Sequence, residues 1–320
     1  MEDFTNESSK NYKLSFHGSG SSYFGVIIVN WLLIVVTLGL YYPWAKAKQL
    51  HYLYGSTALN EERFSFHGTG KEMFKGFIKA VIIFAAIYGL LLLFMYLQMP
   101  IIGILVFYAC ILAIIPFAIH GSYRYRMSRT SWRGIRFGYR GDQKELSISF
   151  FKWTFFTIIS FGLYSSWLSI NLRNYLIGNI RLGSLQFKSD GDGGSYFWLN
   201  VKGYFLTLFT LGIYMFWWQK DIFAYYIDNL SVHQDDKEIR MTSTATGGDF
   251  FGLLVVNMLI IIFTLGIGYA WVVTRTMDFI VSKIELTGDI DLDTINQTEA
   301  NFTDATGEDV SDVLDLGFIN

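Results

Sequence analysis

Charged residues are scarce in this sequence. Lys, Arg, Asp and Glu make up 16% of its 320 residues, whereas 52% are hydrophobic and 18% are aromatic. Soluble domains carry about a quarter charged residues, so the composition argues against a soluble protein. Charge is absent altogether from five long runs, residues 14–45, 80–123, 153–172, 203–219 and 250–274. Runs of this length can enter or cross a membrane.

Other absences exclude whole classes of chemistry. The single cysteine, Cys110, allows no intramolecular disulfide and no cysteine-based metal site. The five histidines never stand at the spacing of paired metal ligands, and no nucleotide-binding or hydrolase motif is present. The first ten residues, MEDFTNESSK, are acidic and polar, so we expect no cleavable secretory signal. We therefore expect a protein that is not an enzyme and uses no cofactor and no metal.

The uncharged runs predict six transmembrane helices, because a spanning helix needs about 20 apolar residues. They lie at about residues 23–42, 78–97, 101–119, 151–169, 199–218 and 250–272. The predicted fold class is an all-α multi-pass integral membrane protein, with amphipathic or re-entrant helices and short β segments between the spans. Residues 1–288 form the predicted membrane domain, which includes a helical hairpin at 78–119. Residues 289–320 form an acidic C-terminal tail, which we expect to be disordered.

One eight-residue phrase recurs at the end of four hydrophobic segments. It reads TLGLYYPW at 37–44, SFGLYSSW at 160–167, TLGIYMFW at 210–217 and TLGIGYAW at 264–271. Thr or Ser can bond a local carbonyl, Gly interrupts a helix, and Tyr and Trp favour the membrane interface. The phrase predicts a helix end of one shared backbone shape, with structural roles for Asn30, Gly39, Trp44, Gly162, Trp167, Gly212, Trp217, Asn257, Gly266 and Trp271. A broken helix that faces a substrate is the alternative.

Short alternating segments with glycine at or near their ends precede the hydrophobic segments: KLSFHGSG, RFSFHGTG, GIRFGYRG, LQFKSDGDGG and IRMTSTATGG, while a sixth, KIELTGDI, follows the last one. Such alternation predicts strands followed by turns, and the recurrence predicts internal duplication. The segment after each Trp leaves two topologies open. It either recrosses the membrane, so that each phrase is a hairpin tip and all strands meet on one face, or it lies on the membrane surface. We favour six principal spans, because burying Lys46 and Lys48 is costly.

Several of these elements together resemble a known family. A strand ending in FxG, YF at the start of the span, N…TLGxYxxWAK at its end and the following YLYGSTAL…RFSFHGTG are similar to the YjgN-like family of bacterial inner-membrane proteins. The later copies depart from the pattern, since Trp153 and Gly203 stand where the first copy has Asn30. The resemblance implies a multi-pass protein of the bacterial inner membrane, and it implies no molecular activity.

The connector at 124–140 is rich in arginine and has no acidic residue. Such a cluster marks the cytoplasmic side of a membrane protein, and it is a candidate site for anionic lipid head groups. Its arginines are Arg124, Arg126, Arg129, Arg133, Arg136 and Arg140.

A second set of ionisable residues follows the repeat Trp residues closely: Lys48, Arg173, Lys220, Asp221 and Arg275. Such side chains either extend to the membrane surface or line a polar path through the helices. The second interpretation predicts a transporter-like or channel-like protein. The alternative is a structural or lipid-interacting envelope protein without transport activity. The expected partners are the lipid bilayer and anionic lipids, and no nucleic acid; the oligomeric state stays open.

Overall fold

The computed structural model describes residues 10–298, which form ten α-helices, eleven β-strands and one short 3-10 helix at Leu292–Thr294. The helices are α1 Gly20–Val36, α2 Tyr42–Ser56, α3 Gly70–Tyr96, α4 Pro100–Ser128, α5 Gln143–Ile159, α6 Ser165–Gly178, α7 Gly193–Phe209, α8 Met215–Asp228, α9 Gly247–Phe263 and α10 Tyr269–Ser282. The strands are β1 Lys10–Tyr12, β2 Leu14–Phe16, β3 Thr57–Leu59, β4 Glu62–Phe66, β5 Thr130–Trp132, β6 Ile135–Tyr139, β7 Ile180–Leu182, β8 Leu185–Ser189, β9 Leu230–Gln234, β10 Lys237–Ser243 and β11 Ile284–Gly288. The pattern strand, helix, helix, strand therefore occurs five times.

The strands form one antiparallel sheet with the order β1-β11-β10-β9-β8-β7-β6-β5-β4-β3-β2. The two ends of this order, β1 and β2, are separated in the chain only by Lys13, so the sheet curls into a nearly closed barrel. Alternate side chains of its strands form an apolar core, whose strand members include Tyr12, Trp132, Leu182, Leu185, Val232, Ile239 and Leu286. The chain after β11 completes this core with Ile290, Leu292 and Ile295.

Each of the five helix pairs leaves the sheet and returns to it, so that all strands lie on one side of the molecule, here called the strand face. Four of the five tip turns are formed by the recurring phrase. Leu38, Phe161, Leu211 and Leu265 each have φ +51°, and the glycine that follows each has φ between +87° and +93°. The amide of that glycine donates to the carbonyl five residues earlier, which is the bond of a Schellman helix end. The prediction of one shared backbone shape is confirmed.

The ten helices form a ring in which each helix packs against the next, and α10 packs against α1. The even-numbered helices lie inside, because each of them also packs on the first strand of the following unit. Some even-numbered helices also contact one another directly, for example through a hydrogen bond of 3.0 Å from Arg173 Nη2 in α6 to the Tyr226 carbonyl in α8 and through the rings of Phe223 and Phe279, whose centroids are 6.5 Å apart. The odd-numbered helices lie outside and expose large apolar side chains, among them Val36, Tyr96, Ile158, Phe209 and Phe263.

The prediction of six spans and an all-α fold is wrong. Only α3 and α4, with 27 and 29 residues, are long and apolar enough to cross a membrane among the described residues. The other eight helices have 14 to 17 residues and are about 21–26 Å long, against a hydrocarbon core of about 30 Å. The uncharged runs overestimated helix length because each run continues through a tip turn into the next helix. Each phrase forms a hairpin tip and all strands lie on one face, as in the hairpin alternative, but the short helices are not long enough to recross a membrane.

The predicted tail boundary at residue 289 also differs from what the structure describes. Residues 289–298 fold back over the barrel: the hydroxyl of Tyr12 bonds the Ile290 carbonyl, and Ile290 is fully buried. Thr298 donates through its hydroxyl to the Gly183 carbonyl at 2.7 Å. The remainder of the predicted tail, 299–320, lies outside the described residues.

Candidate functional site

The repeat tryptophans pack each hairpin against the next one. Each indole covers the first glycine of the helix that follows in the ring, in the pairs Trp44 with Gly70, Trp167 with Gly193, Trp217 with Gly247 and Trp271 with Gly20. A Cβ on any of these glycines would lie 2.2–2.5 Å from the indole Cδ1, a distance that real side chains do not reach. The tryptophans of the phrase therefore hold the ring together, a contact that the sequence analysis did not anticipate.

The first turn of the outer helix is capped in the same way in all five hairpins. The N-cap residues accept a hydrogen bond from the backbone three residues later; they are Ser19, Thr69, Asp142, Asp192 and Thr246. In three of the hairpins a tyrosine 33 residues further along bonds the backbone of the cap: Tyr52, Tyr175 and Tyr225. In the fifth, Lys283 Nζ lies 3.0 Å from Asp249. The recurring interval of 33 residues is the sequence signal that would have revealed these contacts.

A cavity of about 570 Å³ lies between α1 and α2 in the first hairpin, and we call it the Asn30 pocket. The side chain of Asn30 is fully buried, and neither its amide nitrogen nor its amide oxygen has a hydrogen-bond partner in the protein. Lys48 lines the same cavity; its ammonium lies 5.6 Å from the centre of the Tyr41 ring. The full lining is Gly25, Val26, Val29, Asn30, Lys48, His51 and Tyr52.

The equivalent positions of the other hairpins are occupied differently. In the fifth hairpin, Asn257 Nδ2 donates to Thr276 at 3.0 Å, and Arg275 lies 3.4 Å from the Gly252 carbonyl. In the fourth, Gly203 stands in place of Asn30, and the indole of Trp218 packs on it. The third hairpin has Trp153 at this position.

The other predicted path residues make separate local contacts. The guanidinium of Arg173 lies 4.5 Å from the centre of the Tyr226 ring, and Lys220 pairs with Asp221 at 3.3 Å. Among the described residues, no hydrogen bond or ion pair joins any two of Lys48, Arg173, Asp221 and Arg275.

Five of the six connector arginines fall into two locations. Arg124, Arg126 and Arg129 lie at the end of α4 and just beyond it, where Arg129 pairs with Glu72 at 3.2 Å. Arg133 and Arg140 contact the C-terminal segment instead, through Asp293 at 2.6 Å and Thr298 at 3.4 Å.

Arg136 lies near His67 on the strand face. Burial lowers the pKa of His67, and the positive charges of Arg136, His51 and Arg129 lower it further. The imidazole Nε2 of His67 lies 2.8 Å from the Ser131 hydroxyl. These contacts place His67 in the strand-to-helix junction, and within residues 10–298 no group of three or more His, Cys, Asp or Glu could hold a metal ion.

A ring of hairpins with apolar tips, an apolar outer surface and a nearly closed sheet on one side defines a membrane-embedded protein. The comparisons with known proteins agree with this class. The chain matches the family described as bacterial protein of unknown function (DUF898) over residues 11–198 and 233–313, and it belongs to that family.

The curated relatives are similar over part of their length. The chain is 34% identical over 134 residues to the inner membrane protein YjgN of Escherichia coli O157:H7, a match that covers 42% of this chain and 32% of the relative. It is 33% identical over 141 residues to the inner membrane protein YjgN of Salmonella typhimurium, covering 44% and 34%. The matched stretch thus spans about a third of these relatives. No solved structure matches the chain.

Proposed function

We propose that this chain is a lipid-interacting protein of the bacterial inner membrane that inserts its ring of hairpins into the bilayer from the cytoplasmic side. The main evidence for this proposal is the exposure of apolar residues at the hairpin tips. Leu38, Phe161, Leu211 and Leu265 are 92–99% exposed, and the outer helices below them are also apolar. Contiguous apolar surface of this kind requires lipid or a protein partner, and the relatives are named as inner-membrane proteins.

The distribution of positive charge supports the orientation. The tip turns at 37–41, 97–99, 160–164, 210–214 and 264–268 contain no Lys or Arg, whereas the connector at 124–140 contains six Arg. Cytoplasmic segments carry an excess of Lys and Arg, so the strand face is cytoplasmic. Within residues 10–298, only the α3–α4 hairpin is long enough to reach the opposite surface.

Local contacts favour lipid binding over a conducting path. The charged residues near the repeat tryptophans make contacts in their own hairpins or with a neighbour, and the barrel below the helix ring is filled by apolar side chains such as Trp132 and Ile290. A transporter is the second candidate. It is favoured by one observation, that Lys46, Arg126 and Arg173 all lie on the inner helices.

Cysteine labelling tests the insertion. In a Cys110→Ala background, we expect Gln98→Cys at the α3–α4 tip to react with a membrane-impermeant thiol reagent in intact cells. Asp235→Cys, in the exposed turn between β9 and β10, should react only after the inner membrane is permeabilised. Leu211→Cys should be protected under both conditions, since its hairpin ends within the hydrocarbon. Labelling of Asp235→Cys in intact cells would contradict the orientation.

Lipid dependence tests the function. The purified full chain in phosphatidylcholine nanodiscs should gain thermal stability when phosphatidylglycerol is added, and the double substitution of Arg124 and Arg126 to Gln should reduce that gain. The matched control, with Lys237 and Arg240 changed to Gln on β10, should keep it. Equal stability with and without the anionic lipid would overturn the proposal, and anion flux in proteoliposomes would favour the transporter.

A further inference from the structure

We infer that the Asn30 pocket binds the head group of one anionic phospholipid, whose acyl chains leave along the apolar wall of α1. Asn30 and Lys48 contact the head group, and Val26 and Val29 line the exit. The inference deepens the proposed function and rests on it for the membrane setting. It assigns a specific site, which the general attraction of arginines for lipid does not require.

The buried amide of Asn30 is the first observation. A buried amide without hydrogen bonds is costly, and native proteins pair nearly all such groups. Asn30 is fully buried and has both polar atoms unpaired at the wall of an open cavity. The amide nitrogen donates and the amide oxygen accepts, so the missing partner has to offer an acceptor and a donor together. A phosphodiester that carries a hydroxylated substituent offers both.

The charge of the pocket is the second observation. Asn30 stands seven residues before the tip turn that starts at Thr37, and Lys48 stands seven residues after its end at Tyr41, so the two lie at the same level of the hairpin. No acidic side chain lines the cavity. His51 and Tyr52 are already engaged, with the Gly68 carbonyl at 2.9 Å and the Ser19 carbonyl at 2.9 Å. Lys48 is therefore the cation left to receive an anion.

The shape of the pocket selects an amphiphile over a free anion. A Cβ at Gly25 would meet no atom within 4 Å, and Val29 is 48% exposed, so the cavity opens along α1 without obstruction. An isolated phosphate would leave this apolar wall in water. An acyl chain would cover it, and burial of apolar surface favours that arrangement.

The other hairpins fill the same position with their own side chains. Asn257 donates through Nδ2 to Thr276, which leaves its Oδ1 without a partner, and Arg275 is directed at the Gly252 carbonyl. Trp218 fills the space over Gly203. Among these copies, only the first hairpin leaves both amide atoms of this position unpaired, and the filled copies suggest the variants that test the site.

The test uses the full-length protein in phosphatidylcholine nanodiscs, with phosphatidylglycerol titrated in and bound lipid counted by native mass spectrometry. We expect one tightly retained phosphatidylglycerol in the unchanged protein. The Asn30→Trp variant copies the third hairpin and should lose the retained phosphatidylglycerol. The Lys48→Gln variant should bind this lipid about tenfold more weakly, which corresponds to the loss of one charge-assisted contact of about 1.4 kcal/mol. Arg275→Gln, the equivalent charge removal in the fifth hairpin, should leave the retained lipid unchanged.

Each other outcome has a definite meaning. Equal loss in Lys48→Gln and Arg275→Gln would show unspecific charge attraction and overturn the site, and so would retention of the lipid by a folded Asn30→Trp variant. Displacement of the lipid by millimolar inorganic phosphate would overturn the choice of an amphiphile. If the unchanged protein shows no preference for phosphatidylglycerol at all, the proposed function is wrong. If the unchanged protein shows that preference and the Asn30→Trp and Lys48→Gln variants retain the lipid equally well, only the assignment of the pocket is wrong.

Discussion

Gly193, the first residue of α7, tests the packing that closes the helix ring. A Cβ built on it would lie 2.3 Å from Cδ1 of Trp167 and 2.8 Å from its Cα. Because the second atom belongs to the backbone, rotation of the indole cannot remove the clash. We therefore expect Gly193→Ala to destabilise the protein by forcing α6 and α7 apart.

The size of the effect follows from these distances. Ordinary contacts begin at 3.4 Å, so the backbone of Trp167 has to move by about 0.6 Å. Overpacking of this kind costs about 1–3 kcal/mol. The usual gain of about 1 kcal/mol on replacing Gly by Ala applies to helix interiors, and Gly193 is at the first helical position, so little of that gain offsets the cost.

Thermal unfolding of the detergent-solubilised protein, followed by intrinsic fluorescence, measures the effect. Each kcal/mol should lower the Tm by about 2–4 °C. The control is Gly252→Ala in α9, where an added Cβ meets no atom within 4 Å, so the Tm should stay level or rise. If Gly193→Ala melts no lower than this control, the indole does not pack on the glycine as described, and the account of the ring closure fails.

Three further outcomes are expected. Gly212→Ala places a side chain at φ +93° and should cost about 1–2 kcal/mol in unfolding experiments; an unchanged Tm would argue against the tip geometry. Ile290→Ala removes a fully buried side chain from the barrel core and should cost about 2–5 kcal/mol, whereas no loss would mean that the segment after β11 is not part of the core. The Asp249 carboxylate accepts from the Thr246 amide and hydroxyl and pairs with Lys283, which lowers its pKa to about 2. The stability that this carboxylate contributes is present above pH 4 and is lost as the pH falls towards 2. The Tm difference between the unchanged protein and Asp249→Asn should therefore disappear over that window. A Tm difference that grows on acidification would show that the ionised carboxylate does not stabilise the fold.

Short-range patterns were sufficient to predict several local features. The phrase TLGxY predicted a common turn because the left-handed conformation after a helix is strongly biased towards glycine, and all four copies adopt it. Alternation predicted the strands β2, β4, β6, β8, β10 and β11 at their observed places. The strands β3, β5, β7 and β9, which follow the second helix of the first four hairpins, were missed, because three to five residues carry too few alternations to be distinguished from a helix end.

The candidate site could be predicted only in part. Asn30 and Lys48 were both singled out from the sequence, one as a repeat residue and the other as a path residue. Nothing in the sequence indicated that they line one cavity, because that depends on α2 returning beside α1 instead of lying on the membrane surface. The pocket is open also because no indole fills it, as that of Trp218 does in the fourth hairpin. This difference between the hairpins can be recognised only when they are superimposed.

The amino-acid sequence by itself determined the membrane class, the strand-turn-helix units and the shape of the four tips, since composition, alternation and glycine placement act over a few residues. The tertiary structure alone decided the number of spans, the barrel and the ring. A run without charged residues indicates that the segment is compatible with a lipid environment. It does not indicate where the chain reverses direction within the run. That reversal is fixed by contacts between distant residues, such as Trp271 on Gly20 and Tyr12 on Ile290, which close the ring and the barrel between the two ends of the chain.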